Sequence, residues 1–487
     1  MPSSHDNPHH ERRWAILVVL GLAQLMVILD ATIVNIALPS AQESLGFSDD
    51  SRQWVITAYA LAFGSLLLLG GRIGDLFGRK RVFIVGLIGF AVASAVGGAA
   101  QSFEVLVGAR ALQGVFGALL APAALSLLST TFTDPGERGK AFGVYGAIAG
   151  AGAAIGLLLG GILTEYLSWR WCLYVNLFFA VAAAAGGVVL LHNQTATIKP
   201  KLDIPGTITA CLGLFALVYG FAEAESSGWG APLTLAMLIG GVLLLVLFVA
   251  IQARSANPLL PLRVVRDRNR GGSYLAVGIV GAGMFGVFLF LTYYLQQNLG
   301  YSPVTTGLAF LPMSVAITIS ATLSTARLMP RLGSRPLVVT GMLLAAAGMA
   351  YLAQIGVAST YAADILPGLI VMGLGLGAVI APSMSAATYG VEPKDAGVGS
   401  AMVNTTQQVG GSIGTAFLST MVASAISGSM EGKVPSPRVA ELASIHGYTT
   451  AFWWSAGIFL VGAVVSAALL ERGAVQPVPG AEPVLAH

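Results

Sequence analysis

Asp30 and Arg110 are the residues best placed to do chemistry, because each stands alone in a long run without another charge. Asp30 is the only charged residue between Arg13 and Glu43, and Arg110 the only one between Glu104 and Asp134. A carboxylate carried into hydrocarbon is costly and is seldom kept without a partner or a function. Burial works against its charge and a nearby cation works for it, so a balanced group can take a proton from one side and release it to the other. The runs holding the two residues would cross in opposite directions. Asp30 lies eight residues before Leu38, about 12 Å from that end of its helix, and Arg110 about 8 Å from the same face. At such similar depths a guanidinium that approaches holds the carboxylate ionised, and one that withdraws leaves the protonated form favoured.

The rest of the chain supplies the apolar setting. Of 487 residues, 25 are Lys or Arg and 22 are Asp or Glu, so 10% are charged while 55% are hydrophobic. Soluble domains carry roughly 25% charged residues, and disorder requires low hydrophobicity. Both classes are excluded. A net charge of +3 spread over short loops offers no surface for nucleic acid. Cys172 and Cys211 sit inside apolar runs and imply neither a disulfide framework nor a thiolate metal site. The six histidines fall in tails or loops, and no Gly-x-x-x-x-Gly-Lys-Ser/Thr loop occurs. Neither direct use of ATP nor an enzymatic role is expected. The sequence describes an all-α membrane protein.

Apolar stretches long enough to cross a bilayer, about 20 residues each, fall near 14–38, 53–71, 82–100, 105–129, 140–163, 170–191 and 204–222. They continue near 232–252, 272–295, 304–326, 336–357, 364–388, 397–425 and 449–470, which makes fourteen spans. The first is too long, and carries Asp30, Asn35 and Pro39, to be a cleaved signal peptide. With the N-terminus inside, twenty basic residues occupy inner loops and tails, against four outside (Arg52, Arg170, Lys433 and Arg438). That bias puts both termini in the cytoplasm.

Two inner loops repeat one pattern: Gly71-Arg-Ile-Gly-Asp75-Leu-Phe-Gly78-Arg-Lys80 and Ala326-Arg-Leu-Met-Pro330-Arg-Leu-Gly333-Ser-Arg335. They join spans 2 and 3 and spans 10 and 11. An offset of eight spans implies two six-helix halves with an extra pair, spans 7 and 8, between them. The organisation expected is a cytoplasmic tail (1–13), a six-helix bundle (14–191), an inserted two-helix linker with inner loops (192–271), a second bundle (272–471) and a cytoplasmic tail (472–487).

These motifs together make the sequence similar to the major facilitator superfamily, and within it to the fourteen-span drug:proton antiporters. Leu29-Asp30-Ala-Thr-Ile-Val-Asn35 resembles that family's span 1 signature, and Arg110-Ala-Leu-Gln113-Gly114 resembles the superfamily motif on an intramembrane arginine. The resemblance makes Asp30 and Arg110 the proton-coupling pair, supported by Asn35 and Gln113. The loop with Arg72, Asp75, Gly78 and Arg79 resembles the cytoplasmic gate motif, with Leu76 where a basic residue is usual. In that reading Asp75 meets the positive N-terminal dipole of span 13, near Ala396. Span 5 carries Gly146, Gly150, Gly156 and Gly160, small residues that let helices approach and slide, with Leu157 in place of the usual antiporter proline.

Trp54, Tyr59, Glu223, Tyr293, Asn404 and Gln407 are the polar and aromatic residues available to line a substrate cavity. Asp364 reads as an outer helix cap. The resemblance implies proton-coupled efflux of a lipophilic drug or antibiotic from a bacterial plasma membrane by alternating access. A proton-coupled importer on the same scaffold, or a non-transporting membrane sensor, are the alternatives. The expected unit is a monomer among membrane lipids, with the proton as coupling ion and no other cofactor or metal.

Overall fold

Short polar residues and prolines begin the helices. Ser102, Asp134, Asp203, Asp267, Ser302 and Ser436 each accept from a backbone N–H in the first turn that follows, which satisfies a donor the helix itself leaves free. The computed structural model describes residues 12–47, 54–192, 202–434 and 436–473, apart from some side chains inside helices, among them those of Asn35, Gly150 and Glu225. Arg52, Lys199, Lys201 and most of both expected tails lie outside the described residues.

The long helices are α1 (Arg13–Leu45), α2 (Trp54–Phe77), α3 (Arg79–Gly98), α4 (Phe103–Thr131), α5 (Pro135–Tyr166), α6 (Trp171–Leu190) and α7 (Ile204–Ser227). They continue as α8 (Pro232–Gln252), α9 (Arg268–Gly286), α10 (Pro303–Leu323), α11 (Ser334–Leu352), α12 (Leu366–Thr388), α13 (Ala396–Met430) and α14 (Pro437–Leu469). The helical path of α9 runs on to Asn298 and that of α10 to Leu332, partly through π-helical turns. A short helix, Leu262–Arg266, lies between α8 and α9. Among the described residues there is no strand, and thirteen helices are long and apolar enough to cross a membrane. The remaining long helix, α5, spans 32 residues, of which Ile155–Tyr166 form a shorter apolar stretch.

Several boundaries differ from those read in the sequence. Pro39 does not end α1, which runs on to Leu45. Packed apolar surroundings tolerate a proline that would stop a helix in water. Asp30 is therefore fifteen residues from the helix end, about 22 Å rather than 12 Å. Arg72 and Asp75, expected in a loop, belong to α2, and the connection to α3 shrinks to Gly78. The second bundle starts at Arg268, behind its Asp267 cap, and not at 272. The last helix starts at Pro437, well before 449, because Ser436 caps it.

Packing pairs repeat eight helices apart. In the first half α1 packs on α5 and α6, α2 and α3 on α4, and α3 on α6. In the second, α9 packs on α13 and α14, α10 and α11 on α12, and α11 on α14. The two tight turns of the loop repeat match as well: Gly78 has φ +96° and Gly333 φ +78°, values that only glycine adopts without strain. The halves meet along two seams, α2 with α13 and α5 with α10 and α12. The inserted hairpin α7–α8 lies on the first seam, with α7 against both α2 and α13. Its partner α8 turns Ile239, Val242, Leu243 and Val246 outward, the apolar exterior that a lipid-facing helix needs.

Candidate functional site

Asp30 is fully buried, and among the described residues its carboxylate only accepts hydrogen bonds. Arg110 Nη1 donates to Asp30 Oδ2 at 2.5 Å, Gln113 Nε2 to Oδ1 at 2.8 Å, and Asn176 Nδ2 to Oδ1 at 2.7 Å. Arg110, 1% exposed, also donates to Gln113 Oε1 (2.8 Å) and, through Nε, to the Val55 carbonyl (3.2 Å). Its guanidinium lies 4.5 Å above the Tyr59 ring, a favourable cation–π position. Ser94 Oγ accepts from both amides, from Gln113 at 2.7 Å and from Asn176 at 3.4 Å. Residues of α1, α2, α3, α4 and α6 thus enclose one carboxylate. An ionised carboxylate only accepts, so the arrangement is complementary to the charged form.

Gln113 reaches this site because it sits one helical turn from Arg110 on α4. Asn176 and Ser94 carried no signal in the sequence: each is a single small polar residue in an apolar run, and only the fold brings them to Asp30. Two buried atoms beside the carboxylate, Asn176 Oδ1 and Tyr59 Oη, have no hydrogen-bond partner among the described residues. The Asn35 side chain lies outside the described residues.

Asn176→Leu removes one charge-assisted bond to Asp30. It is expected to destabilise the protein by about 1.5–3 kcal/mol, read as a lower unfolding midpoint in detergent. The cost should shrink on an Asp30→Asn background, where no ionised acceptor is left short of a donor.

At the end of the bundle that carries Asp75, the two halves are bonded together. Asp75 accepts from the backbone N–H of Gly397 (3.0 Å) and of Val398 (3.3 Å), in the first turn of α13, and from Arg79 at 3.0 Å. Negative charge is favoured at a helix N-terminus. The approach depends on two glycines: a Cβ on Gly71 would lie 2.5 Å from the Gly397 carbonyl oxygen, and one on Gly397 would overlap Gly71. Arg72 lies 3.9 Å from Asp395, which Arg263 of the short helix also holds. Burial is the largest influence on Asp395 and pushes its carboxyl up, against the pull of Arg263, Lys394 and Arg72. In the loop repeat the counterpart of Asp75 is Pro330, so this latch exists in one half only.

The second seam closes at the same end. Arg138 of α5 donates to the Ser385 carbonyl (3.1 Å) and to Thr388 Oγ1 (2.6 Å) of α12. Gly146 of α5 faces Ala381 of α12, whereas Gly156 and Gly160 face Thr32 and Ile33 of α1. The glycines expected to form one sliding face therefore serve two neighbours, and Gly150 lies outside the described side chains. Leu157 leaves α5 unbroken, as a proline at that position would not.

The expected cavity residues are scattered. Tyr59 is a correction: it is 6% exposed, stacks on Phe63 and belongs to the Asp30 site. Trp54 faces the Tyr219 ring of α7, Glu223 accepts from Ser227 Oγ, and Tyr293 lies beside Tyr448. Asn404 donates to the Ser400 carbonyl one turn back, and Gln407 is exposed on α13. Asp364 is not the cap residue itself but reaches back to the Thr360 N–H at 2.7 Å.

Comparison with known proteins agrees with this architecture. The family model described as Major Facilitator Superfamily matches residues 20–415. The chain is 53% identical over 462 residues to a puromycin resistance protein of Streptomyces alboniger, covering 94% of this chain and 92% of that one. It is 38% identical over 439 residues to a cephamycin export protein of Amycolatopsis lactamdurans, covering 88% and 87%. It is 34% identical over 421 residues to a tetracenomycin C resistance and export protein of Streptomyces glaucescens, covering 85% and 77%. A solved structure of a human organic anion transporter shares the fold, with a TM-score of 0.63 over 93% of this chain and 99% of that one at 16% identity.

Proposed function

This chain belongs to the major facilitator superfamily, and we propose that within it the chain exports lipophilic antibiotics in exchange for protons. It is an all-helical, multi-pass membrane transporter and not an enzyme. Support for export comes from relatives named for antibiotic resistance or export, and puromycin, the compound in one of those names, is the substrate to try first. In the finer reading α5 also crosses, which makes fourteen spans of a bacterial plasma membrane protein. The excess of Lys and Arg at the Asp75 end makes that end cytoplasmic, with both termini inside. The conformation described here is then closed to the cytoplasm, through Asp75 on α13 and Arg138 on α12.

One observation carries the proton reading: a fully buried carboxylate on α1 accepts hydrogen bonds from Arg110, Gln113 and Asn176, described donors on two other helices of its bundle. Protonating Asp30 removes the charge that Arg110, Gln113 and Asn176 converge on, so uptake of a proton must loosen α1 from α4 and α6. Substrate leaves as the proton arrives from outside, the halves rock, and the proton departs inward as new substrate enters. One charge moved through 100 mV is worth about 2.3 kcal/mol, which supports a gradient of roughly 50-fold at about 1.36 kcal/mol per tenfold.

The test uses inverted vesicles with puromycin as the probe. Acidifying the lumen should drive accumulation, and Asp30→Asn should abolish it. Outward loss of the probe on acidification would mark an importer instead, and no flux in either direction would mark a sensor.

A further inference from the structure

The inserted hairpin lies on the α2/α13 seam, which must part at its cytoplasmic end when the transporter opens inward. Its ties to the two halves differ in kind. It packs on both, but among the described residues the polar bonds of the insert go to the C-terminal half and sit at both ends of the bundle. Trp229, in the α7–α8 turn, donates to Thr420 at 2.8 Å, and Arg263, in the short helix, donates to Asp395 and lies 3.5 Å from Glu392. The chain then runs directly into α9, where Arg270 donates to the Gly390 carbonyl at 3.2 Å. Toward α2 the described ties of the hairpin are apolar, such as Tyr219 on the Trp54 ring and Val218 against Gly64. Apolar contact is non-directional and lets a surface slide, whereas a charged bond fixes its partners.

Asp395 is the crossing point. It is 3% exposed and is shared by Arg72 of the N-terminal bundle and Arg263 of the insert. The other charges around it are Lys394, which pairs with Glu392 at 2.7 Å, and Glu392 itself. When α2 withdraws, Arg72 leaves, and a buried carboxylate left with no cation at all would be strongly disfavoured.

We infer that spans 7 and 8 with the helix Leu262–Arg266 form a clasp that travels with the C-terminal bundle, in which Arg263 holds Asp395 after Arg72 has left and so makes the inward-open gate accessible. The inference rests on the alternating-access reading above. Arg263 is a positioning residue here: it touches neither proton nor substrate.

The experiment measures distances between spin labels in the full chain in lipid nanodiscs, with Cys172 and Cys211 replaced by alanine. Labels go at the exposed positions Phe77 (α2), Leu332 (inner end of the α10 path) and Arg254 (two residues beyond the inner end of α8). Changing pH and adding puromycin should move Phe77 relative to Leu332, while the Arg254–Leu332 distance stays fixed. In Arg263→Gln the inward-open population should fall at least about fivefold, the lower end of coupling between linked elements. Arg263→Gln with Asp395→Asn should restore it, since no buried charge then needs a partner. Arg254 moving with Phe77 would overturn the clasp while leaving alternating access standing, as would an Arg263→Gln variant with unchanged populations. A Phe77–Leu332 distance that never changes would overturn the alternating-access reading and the clasp with it.

Discussion

Asp30→Asn and Arg110→Leu are both expected to abolish gradient-driven export, by opposite routes. Asparagine keeps the shape of Asp30 and can still accept from Arg110 but cannot carry a proton, so the exchange loses its coupling ion. It also leaves the Arg110 guanidinium, which cannot shed its charge, without a counter-charge in a site that is 1% exposed. Removing one partner of a buried pair typically costs about 3–5 kcal/mol. Here the Val55 carbonyl, Gln113 and the Tyr59 ring remain to offset part of that. In Arg110→Leu the stranded group is a carboxylate, which escapes by binding a proton and keeping it. That variant should fold better than Asp30→Asn and yet be equally uncoupled. The double variant Asp30→Asn/Arg110→Leu should recover stability without recovering transport. Unfolding midpoints in detergent and puromycin accumulation in acid-loaded inverted vesicles check both halves of this expectation.

Gly397→Val should have the next largest effect. Its side chain would overlap the backbone of Gly71 and crowd Asp75 Oδ1, 2.7 Å from the first added carbon. The α2/α13 approach is backbone against backbone, so no rotamer change relieves the clash. The cytoplasmic end would then stay open and cycling would stop, although the Asp30 site lies elsewhere and stays intact. Asp75→Asn is the milder case: it weakens the bonds to Gly397, Val398 and Arg79 without adding bulk, and should shift the gate by about 1–3 kcal/mol. Labelling of a cysteine placed at Gly74, where an added Cβ meets nothing within 4 Å, reports both. Its rate from the cytoplasmic side should be high and constant in Gly397→Val, and raised but still responsive to pH in Asp75→Asn.

How much of this was legible in the sequence follows from what charge and backbone each reveal. Asp30 and Arg110 stood out because a lone charge in an apolar run is rare, and the loop repeat stood out because an arginine, an aliphatic residue, a glycine and a basic residue recur in one register. The target of Asp75 could be reached only by resemblance, since it consists of backbone N–H groups that no side chain announces. Asn176 and Ser94 were invisible for a related reason: neutral polar residues are cheap enough in a bundle interior that their presence predicts no partner. Nothing in the sequence singles out Asp395, and only the fold shows it held between Arg72 and Arg263. Pro39 misled because the rule that proline ends a helix is calibrated in water. The cavity residues were chosen by residue type alone, and packing assigned them to separate neighbours, Tyr59 to the Arg110 guanidinium beside Asp30.

Proton release on substrate binding reads the role of Asp30 without depending on flux, vesicle orientation or gate motion. Purified protein in weakly buffered detergent, with a pH-indicator dye, is mixed with puromycin. The wild-type chain should release protons in proportion to the substrate bound, and Asp30→Asn should bind without releasing any. Release from the asparagine variant equal to that of the wild type would mean that the coupling proton resides on another group, and would contradict the central claim.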